Sequence, residues 1–224
     1  MIILKDILNV VFPAKCVVCG ESFYYEKQNV VCKKCVKQIR KRPVNYCKSC
    51  GKPTLNCQDC LKEKKYEYIE VFTKATPEVI NILAVYKLKK IKFLAEEIAE
   101  EIKDDLIEFV KKNSIELITF IPLDRWTEKE REFNHLKEIL KFIFPSYMVV
   151  DVLEKTKRTH LQMNLSRKER LENLRDAFSL KEDIKDKRVL VFDDILTTGA
   201  TMIEAFKTLK KGKPKKIYGY VIAR

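Results

Sequence analysis

The chain has no apolar run approaching the roughly 20 residues that span a bilayer, and its 224 residues include only five glycines and two histidines. The first absence excludes a transmembrane helix read from sequence. The scarcity of glycine goes with the absence of both common nucleotide loops, Gly-x-x-x-x-Gly-Lys-Ser/Thr and Gly-x-Gly-x-x-Gly. No cysteine occurs after Cys60, so thiol and thiolate-metal chemistry is confined to the first quarter of the chain. Met1 to Val11 is apolar, but Lys5 and Asp6 interrupt it and no small-residue cleavage site follows. It reads as a short amphipathic helix rather than a signal peptide, which makes the expected location cytoplasmic.

What is present is concentrated. All eight cysteines form four Cys-x-x-Cys pairs: Cys16/Cys19, Cys32/Cys35, Cys47/Cys50 and Cys57/Cys60. In a cytoplasmic chain this pattern reads as metal ligation, not as a disulfide framework. Four thiolates close a tetrahedral zinc site without an open position for a catalytic water, and eight fill two. Glycine follows the first and third pairs (Gly20, Gly51), an internal repeat that assigns Cys16, Cys19, Cys32 and Cys35 to one zinc and Cys47, Cys50, Cys57 and Cys60 to the other. Spacing leaves an interleaved pairing open, and iron–sulfur ligation is a minor alternative. The metal acts first as a staple for a module too small to bury its own core.

The net charge of +13 is uneven: residues 1–66 hold 14 Lys/Arg against 5 Asp/Glu, and the rest hold 31 against 27. A basic N-terminal module suggests a polyanionic partner such as nucleic acid. Tyr24, Tyr25, Tyr46, Tyr66 and Tyr68, interleaved with the basic residues, fit strand stacking and zinc-ribbon packing about equally.

The remainder alternates strands and helices. Strands are expected at 66–73, 117–121, 147–153, 189–192 and 217–222. Helices are expected from Pro77 to about Leu88, with Thr76 as cap, and over 92–112, 128–144 and 202–211. That order predicts an α/β fold with a parallel sheet flanked by helices, its ligands at the carboxyl ends of the strands. The domain division is 1–65, helix and zinc module, and 66–224, the α/β domain.

One stretch organises the second domain: Val189-Leu190-Val191-Phe192, then Asp193-Asp194, then Thr197-Thr198-Gly199-Ala200-Thr201, then an apolar helical spacing. Unpartnered N–H groups of a turn feeding a helix, the helix dipole, three hydroxyls and a glycine allowing close backbone approach make a phosphate cradle. Two carboxylates ahead of it accept hydrogen bonds from vicinal sugar hydroxyls or help hold a cation through water.

This stretch resembles the phosphoribosyl-pyrophosphate (PRPP) motif of type I phosphoribosyltransferases. Ile121-Pro122-Leu123-Asp124-Arg125 with Arg131-Glu132-Phe133-Asn134-His135, and Thr159-x-x-Gln162-x-x-Leu165-Ser166-Arg167 further on, resemble the corresponding segments of ComF-type proteins, also called ComFC. Lys87 falls where that family tends to carry a lysine. The chain departs from the pattern at Glu132 (usually glycine), His135 (usually glutamine) and Lys155 (usually arginine). The resemblance spans essentially the whole chain, double zinc ribbon included.

The resemblance implies a type I phosphoribosyltransferase-like fold and a link to DNA uptake in natural transformation. It also implies PRPP bound with Mg²⁺, single-stranded DNA as a second ligand, and competence-machinery proteins as partners. Thr197 to Thr201 then hold the 5′-phosphate and Asp193 and Asp194 the ribose hydroxyls. Leu123, Asp124, Arg125, Lys155, Arg158 and Gln162 are the pyrophosphate and hood candidates. His135 is expected on a helix surface, and His160, in the hood, is the better placed of the two histidines. No catalytic or base-recognition residue stands out. A phosphoribosyl transferase and a PRPP sensor without turnover are the alternative readings.

Overall fold

The computed structural model describes residues 13–23, 30–48, 68–88, 91, 94–131, 133–157 and 174–224. The expected helix at 1–11 lies outside them. The N-terminal module contributes a short antiparallel ribbon, β1 (Ala14–Lys15) and β2 (Ser22–Phe23), and one helical turn, α1 (Lys33–Val36). Four strands then build a parallel sheet in the order β3 (Ile69–Thr73), β8 (Lys216–Ala223), β7 (Arg188–Ile195), β4 (Leu117–Phe120). Val189 to Phe192 are fully buried, as a strand covered on both faces requires.

Helices cover both faces, and β8 shows how. Tyr218 and Tyr220 meet Phe109 of α3 (Leu94–Lys112) edge-on, at centroid distances of 6.0 and 5.7 Å. The intervening Gly219 faces the other way. A Cβ there would sit 3.1 Å from Phe206 and 3.3 Å from Met202, both on α6 (Ala200–Lys211). Side chains alternate across a strand, so one residue step carries the contact from one helix layer to the other. The missing side chain lets α6 approach closely.

Helix α2 (Pro77–Leu88) starts as its sequence dictates, with Thr76 Oγ1 accepting from Val79 N at 3.4 Å and proline at the first helical position. Two expectations are corrected. The helix expected over 128–144 is two, α4 (Arg125–Arg131) and α5 (His135–Lys141). The break is Asn134, whose extended backbone (φ −86°, ψ 112°) and side-chain oxygen cap α5 through Leu136 N and Lys137 N. Its Nδ2 donates to Ile121 O at 3.2 Å, fixing α5 to the end of β4. The strand expected over 147–153 joins the sheet only at Val149, opposite Ile118. Val152 N turns back to Val150 O, and β5 (Leu153–Lys155) pairs antiparallel with β6 (Phe178–Leu180) instead. β7 also runs past its expected end, so both aspartates belong to the strand.

The zinc module is docked on the sheet. Along the outer edge of β3, Arg42 N donates to Phe72 O and Ile69 N to Lys48 O. Between them the buried Tyr46 hydroxyl accepts from Val71 N at 2.9 Å and donates to Ile69 O at 3.2 Å. Lys41 pairs with Asp105 of α3. Part of the basic surplus of the module therefore faces an acidic helix of its own chain, and Tyr46 is a docking residue rather than a stacking platform. Tyr68 is also engaged, by Glu70 at 2.7 Å, by Lys48 and by Phe109. Tyr24, Tyr25 and Tyr66 lie outside the described residues. Tyr46→Phe strands a buried N–H and a carbonyl. It should cost about 2 kcal/mol in denaturant unfolding and speed hydrogen exchange at Val71; an unchanged Val71 rate would show that the hydroxyl does not dock the module.

Candidate functional site

Asp193 and Asp194 sit at the carboxyl end of β7, where the sheet order places a crevice. Each carboxylate folds back onto the next peptide: Asp194 N donates to Asp193 Oδ1 at 2.9 Å, and Ile195 N to Asp194 Oδ1 at 2.8 Å. The strand then hands over to loop 196–199. Leu196 N donates to Ala223 O, and the Arg224 guanidinium donates to Leu196 O and Thr197 O at 3.1 and 3.0 Å. Gly199 takes the left-handed conformation (φ 77°) that glycine adopts without strain, and it caps α6. Ala200 N turns to Thr198 Oγ1 at 3.3 Å, and Ile203 N donates to Gly199 O, closing the first turn. Helix α6 thus begins two residues earlier than the apolar spacing indicates, and Thr201 lies within its first turn.

The two aspartates are not equivalent. Asp194 is 5% exposed; Lys87 Nζ lies 2.6 Å and His135 Nε2 3.2 Å from its Oδ2. Burial opposes its charge, yet the His135 contact and the Lys87 ammonium hold its carboxyl well below the usual range. Asp193 is partly exposed, and desolvation together with the adjacent Asp194 charge raises it to about 8. His135, expected on a helix surface, is 3% exposed and points into the site, because the Asn134 cap turns the first residue of α5 inward. The Tyr86 hydroxyl donates to its carbonyl at 2.7 Å. Neither the role of Lys87 nor the inward position of His135 stands out in the local sequence. The available signal was a cap residue, asparagine, directly before a histidine inside an apparent helix.

The loop after β4 carries Leu123, Asp124 and Arg125. Asp124 bridges to Lys155 of β5 in backbone register, with Lys155 Nζ 3.8 Å from its carboxylate. Thr127 N and Oγ1 each donate to Asp124 at 3.0 Å. Arg125 pairs with Glu154 at 2.9 Å. Beside this loop opens a cavity of about 370 Å³ with a floor of Phe120, Leu123 and Leu153 and a rim that includes Lys137, Asp151 and Lys155. No residue of 193–201 lines it. Arg158, His160 and Gln162 lie outside the described residues.

Four cysteines meet in the N-terminal module. The sulfurs of Cys16, Cys19, Cys32 and Cys35 all lie within 4.8 Å of one another. Cys16–Cys35 and Cys19–Cys32 are each 3.8 Å apart. A tetrahedron with Zn–S bonds of about 2.3 Å has edges of about 3.8 Å, so the donor set fits one zinc ion and leaves no room for a polynuclear iron–sulfur cluster. Cys32 N donates to Cys16 Sγ at 3.3 Å, and Gly20 (φ 74°) turns the first knuckle. These four are the cysteines that the glycine repeat groups as the first site. Of the second set Cys47 is buried, and Cys50, Cys57 and Cys60 lie outside the described residues.

Known proteins share both parts. The double zinc ribbon domain family matches residues 7–66, and the phosphoribosyl transferase domain family matches residues 134–224. Over 95% of this chain and 98% of the relative, the sequence is 26% identical to Competence protein F of Haemophilus influenzae. The chain is thus similar to Competence protein F over nearly its whole length. A second relative is the DNA utilization protein YhgH of Salmonella typhimurium, 23% identical over 87% of this chain and 90% of its own. A hypoxanthine phosphoribosyltransferase structure from Staphylococcus aureus covers 58% of this chain and 62% of its own, at TM-score 0.38 and 16% identity, too distant to carry weight. The chain thus joins a double zinc ribbon match to a phosphoribosyl transferase domain match. Among the described residues no helix is long and apolar enough to cross a membrane.

Proposed function

We propose that this chain is a ComF-type protein that binds PRPP with Mg²⁺ at the carboxyl end of β7 and handles single-stranded DNA during DNA uptake, acting in the cytoplasm. The observation that carries the ligand reading is the unbroken run of β7, acidic pair, Gly199 turn and α6. In it Thr197, Thr198 and a left-handed glycine lead into a helix whose first turn carries Thr201. Thr197, Thr198, Gly199, Ala200 and Thr201 cradle the 5′-phosphate with hydroxyls and N–H groups. Asp193, the more exposed of the two aspartates, accepts from the ribose hydroxyls. Asp194 shapes the floor beneath it. Mg²⁺ arrives with the ligand and neutralises pyrophosphate charge; Asp193 is the carboxylate placed to assist it through water. Leu123, Asp124, Arg125 and Lys155 border the pyrophosphate side, with Arg158 and Gln162 as further candidates. Division at residue 65 separates the zinc module from this domain.

Asp193→Asn should weaken calorimetrically measured PRPP binding at least tenfold, the equivalent of about 1.4 kcal/mol, with zinc content intact. Equal affinity would remove the ribose role. The DNA reading rests on the names of the relatives and on the basic module, whose charge is partly used in docking to α3. Its affinity for single-stranded DNA should fall steeply with salt, and a flat response would exclude phosphate contacts as its source. Pyrophosphate release on adding acceptor bases separates a transferase from a sensor.

A further inference from the structure

Lys87 stands more than 100 positions before Asp194 in the chain, in the last turn of α2, yet its ammonium contacts the same carboxylate oxygen as His135. The other oxygen takes the Ile195 N–H. One buried carboxylate therefore has two nitrogen partners on Oδ2, one more than it needs to be hydrogen-bonded. The two differ in access. The side chains of His135 and Asp194 are 4% and 7% exposed, that of Lys87 30%. His135 is fixed by its place at the start of α5 and by the Tyr86 hydroxyl on its carbonyl. Lys87 sits on a flexible four-carbon stem at a helix end, partly open to solvent.

We propose that Lys87 is a phosphate-binding residue of this site, held on Asp194 until an anionic ligand takes it, with His135 keeping the carboxylate partnered after Lys87 leaves. The proposal rests on the PRPP reading above. An exchange of this kind does not abandon a charge in the interior, because Asp194 retains His135 and the Ile195 N–H throughout. The ammonium trades a carboxylate oxygen for a phosphate oxygen and keeps a charge-assisted bond. A lysine serving only to neutralise Asp194 would need neither the exposure nor the second partner. Before the ligand arrives, the same contact keeps a divalent cation off Asp194 Oδ2.

The test uses full-length, zinc-loaded protein titrated calorimetrically with PRPP and Mg²⁺, and separately with ribose 5-phosphate. Lys87→Gln should weaken PRPP binding about tenfold or more, and Lys87→Arg should retain most of the affinity. His135→Gln should stay within a few-fold of the parent, since the amide still donates to Asp194. Loss confined to PRPP places the ammonium on the pyrophosphate, and loss with both ligands places it on the 5′-phosphate. A purely structural lysine would lower the melting temperature and leave both affinities unchanged. Binding by Lys87→Gln that equals or exceeds the parent overturns the proposal. Without any substitution, the Lys87 ammonium resonance must move when ligand is added, and a stationary signal overturns it equally. Failure of the unmutated protein to bind PRPP is a distinct result: it removes the site reading and this inference with it.

Discussion

Chelation of zinc, or Cys35→Ser, is expected to unfold residues 16–35 and to release residues 42–48 from β3. In small zinc modules the metal supplies folding free energy on the order of 10 kcal/mol, and this one has little else. Among its described residues few apolar side chains are buried, chiefly Val31, Val36 and Ile39, and they join the thiols to the core of the α/β domain. With the metal gone, nothing joins the four sulfurs held within 4.8 Å, and the knuckles lose their reason to meet. The effect should travel to the sheet edge. Ile69 N is bonded to Lys48 O and Val71 N to the Tyr46 hydroxyl, so both amides should exchange roughly tenfold faster or more, matching the loss of about one hydrogen bond each. Amides of β4 and β7 should keep their protection. Zinc release followed by a chelating dye, with hydrogen exchange in parallel, reads both. Protection of Ile69 and Val71 that survives complete zinc loss would show that docking is independent of the metal.

Neutralising the two adjacent aspartates is expected to move stability in opposite directions. Asp194→Asn removes the partner of Lys87 and His135 in a buried cluster. Breaking one side of such an arrangement costs about 3–5 kcal/mol, a fall in melting temperature on the order of 10 °C for a chain of this size. Asp193→Asn relieves a carboxylate that desolvation and its neighbour oppose, so it should raise the melting temperature while abolishing ligand contacts. The pH dependence separates them further. Asp194, lowered in the folded state, stabilises at every pH above its unfolded value of 3.8 and loses that contribution as the pH falls toward its folded value. Asp193, raised from 3.8 to about 8, contributes fully below 3.8, and that contribution drains away as the pH climbs to about 8. The advantage of Asp193→Asn should therefore grow from pH 5 to pH 8.5. Melting curves at both pH values decide it, and parallel shifts in the two variants would refute the division of roles.

How much of this was legible in the residues varies by feature. The cysteine pairs, the α2 start at Thr76-Pro77 and the β7-to-α6 run were readable because each rests on local chemistry: ligand spacing, a cap, and a buried apolar run into a glycine turn. Asn134 was not, since helical periodicity on either side masked a cap whose second bond, to Ile121 O, is made across the fold. The segment 147–153 has strand composition throughout, yet only Val149 pairs, because the chain turns at Val150 to feed β5. His135 and Lys87 were the largest gap. Nothing local distinguishes a buried histidine or a bridging lysine from surface ones, and their meaning comes only from Asp194, a partner at least 59 positions away.

The covering of β3 has a consequence for assembly. An outer strand whose N–H and C=O groups face solvent is a template for intermolecular pairing and aggregation, and here Arg42, Tyr46 and Lys48 occupy that template with groups of the same chain. The zinc module therefore acts as an edge guard as well as a candidate ligand surface. A metal-starved chain would bare an apolar outer strand, Ile69-Glu70-Val71-Phe72-Thr73, to its copies. Zinc supply would then set how long the protein persists in solution, independently of any ligand it binds.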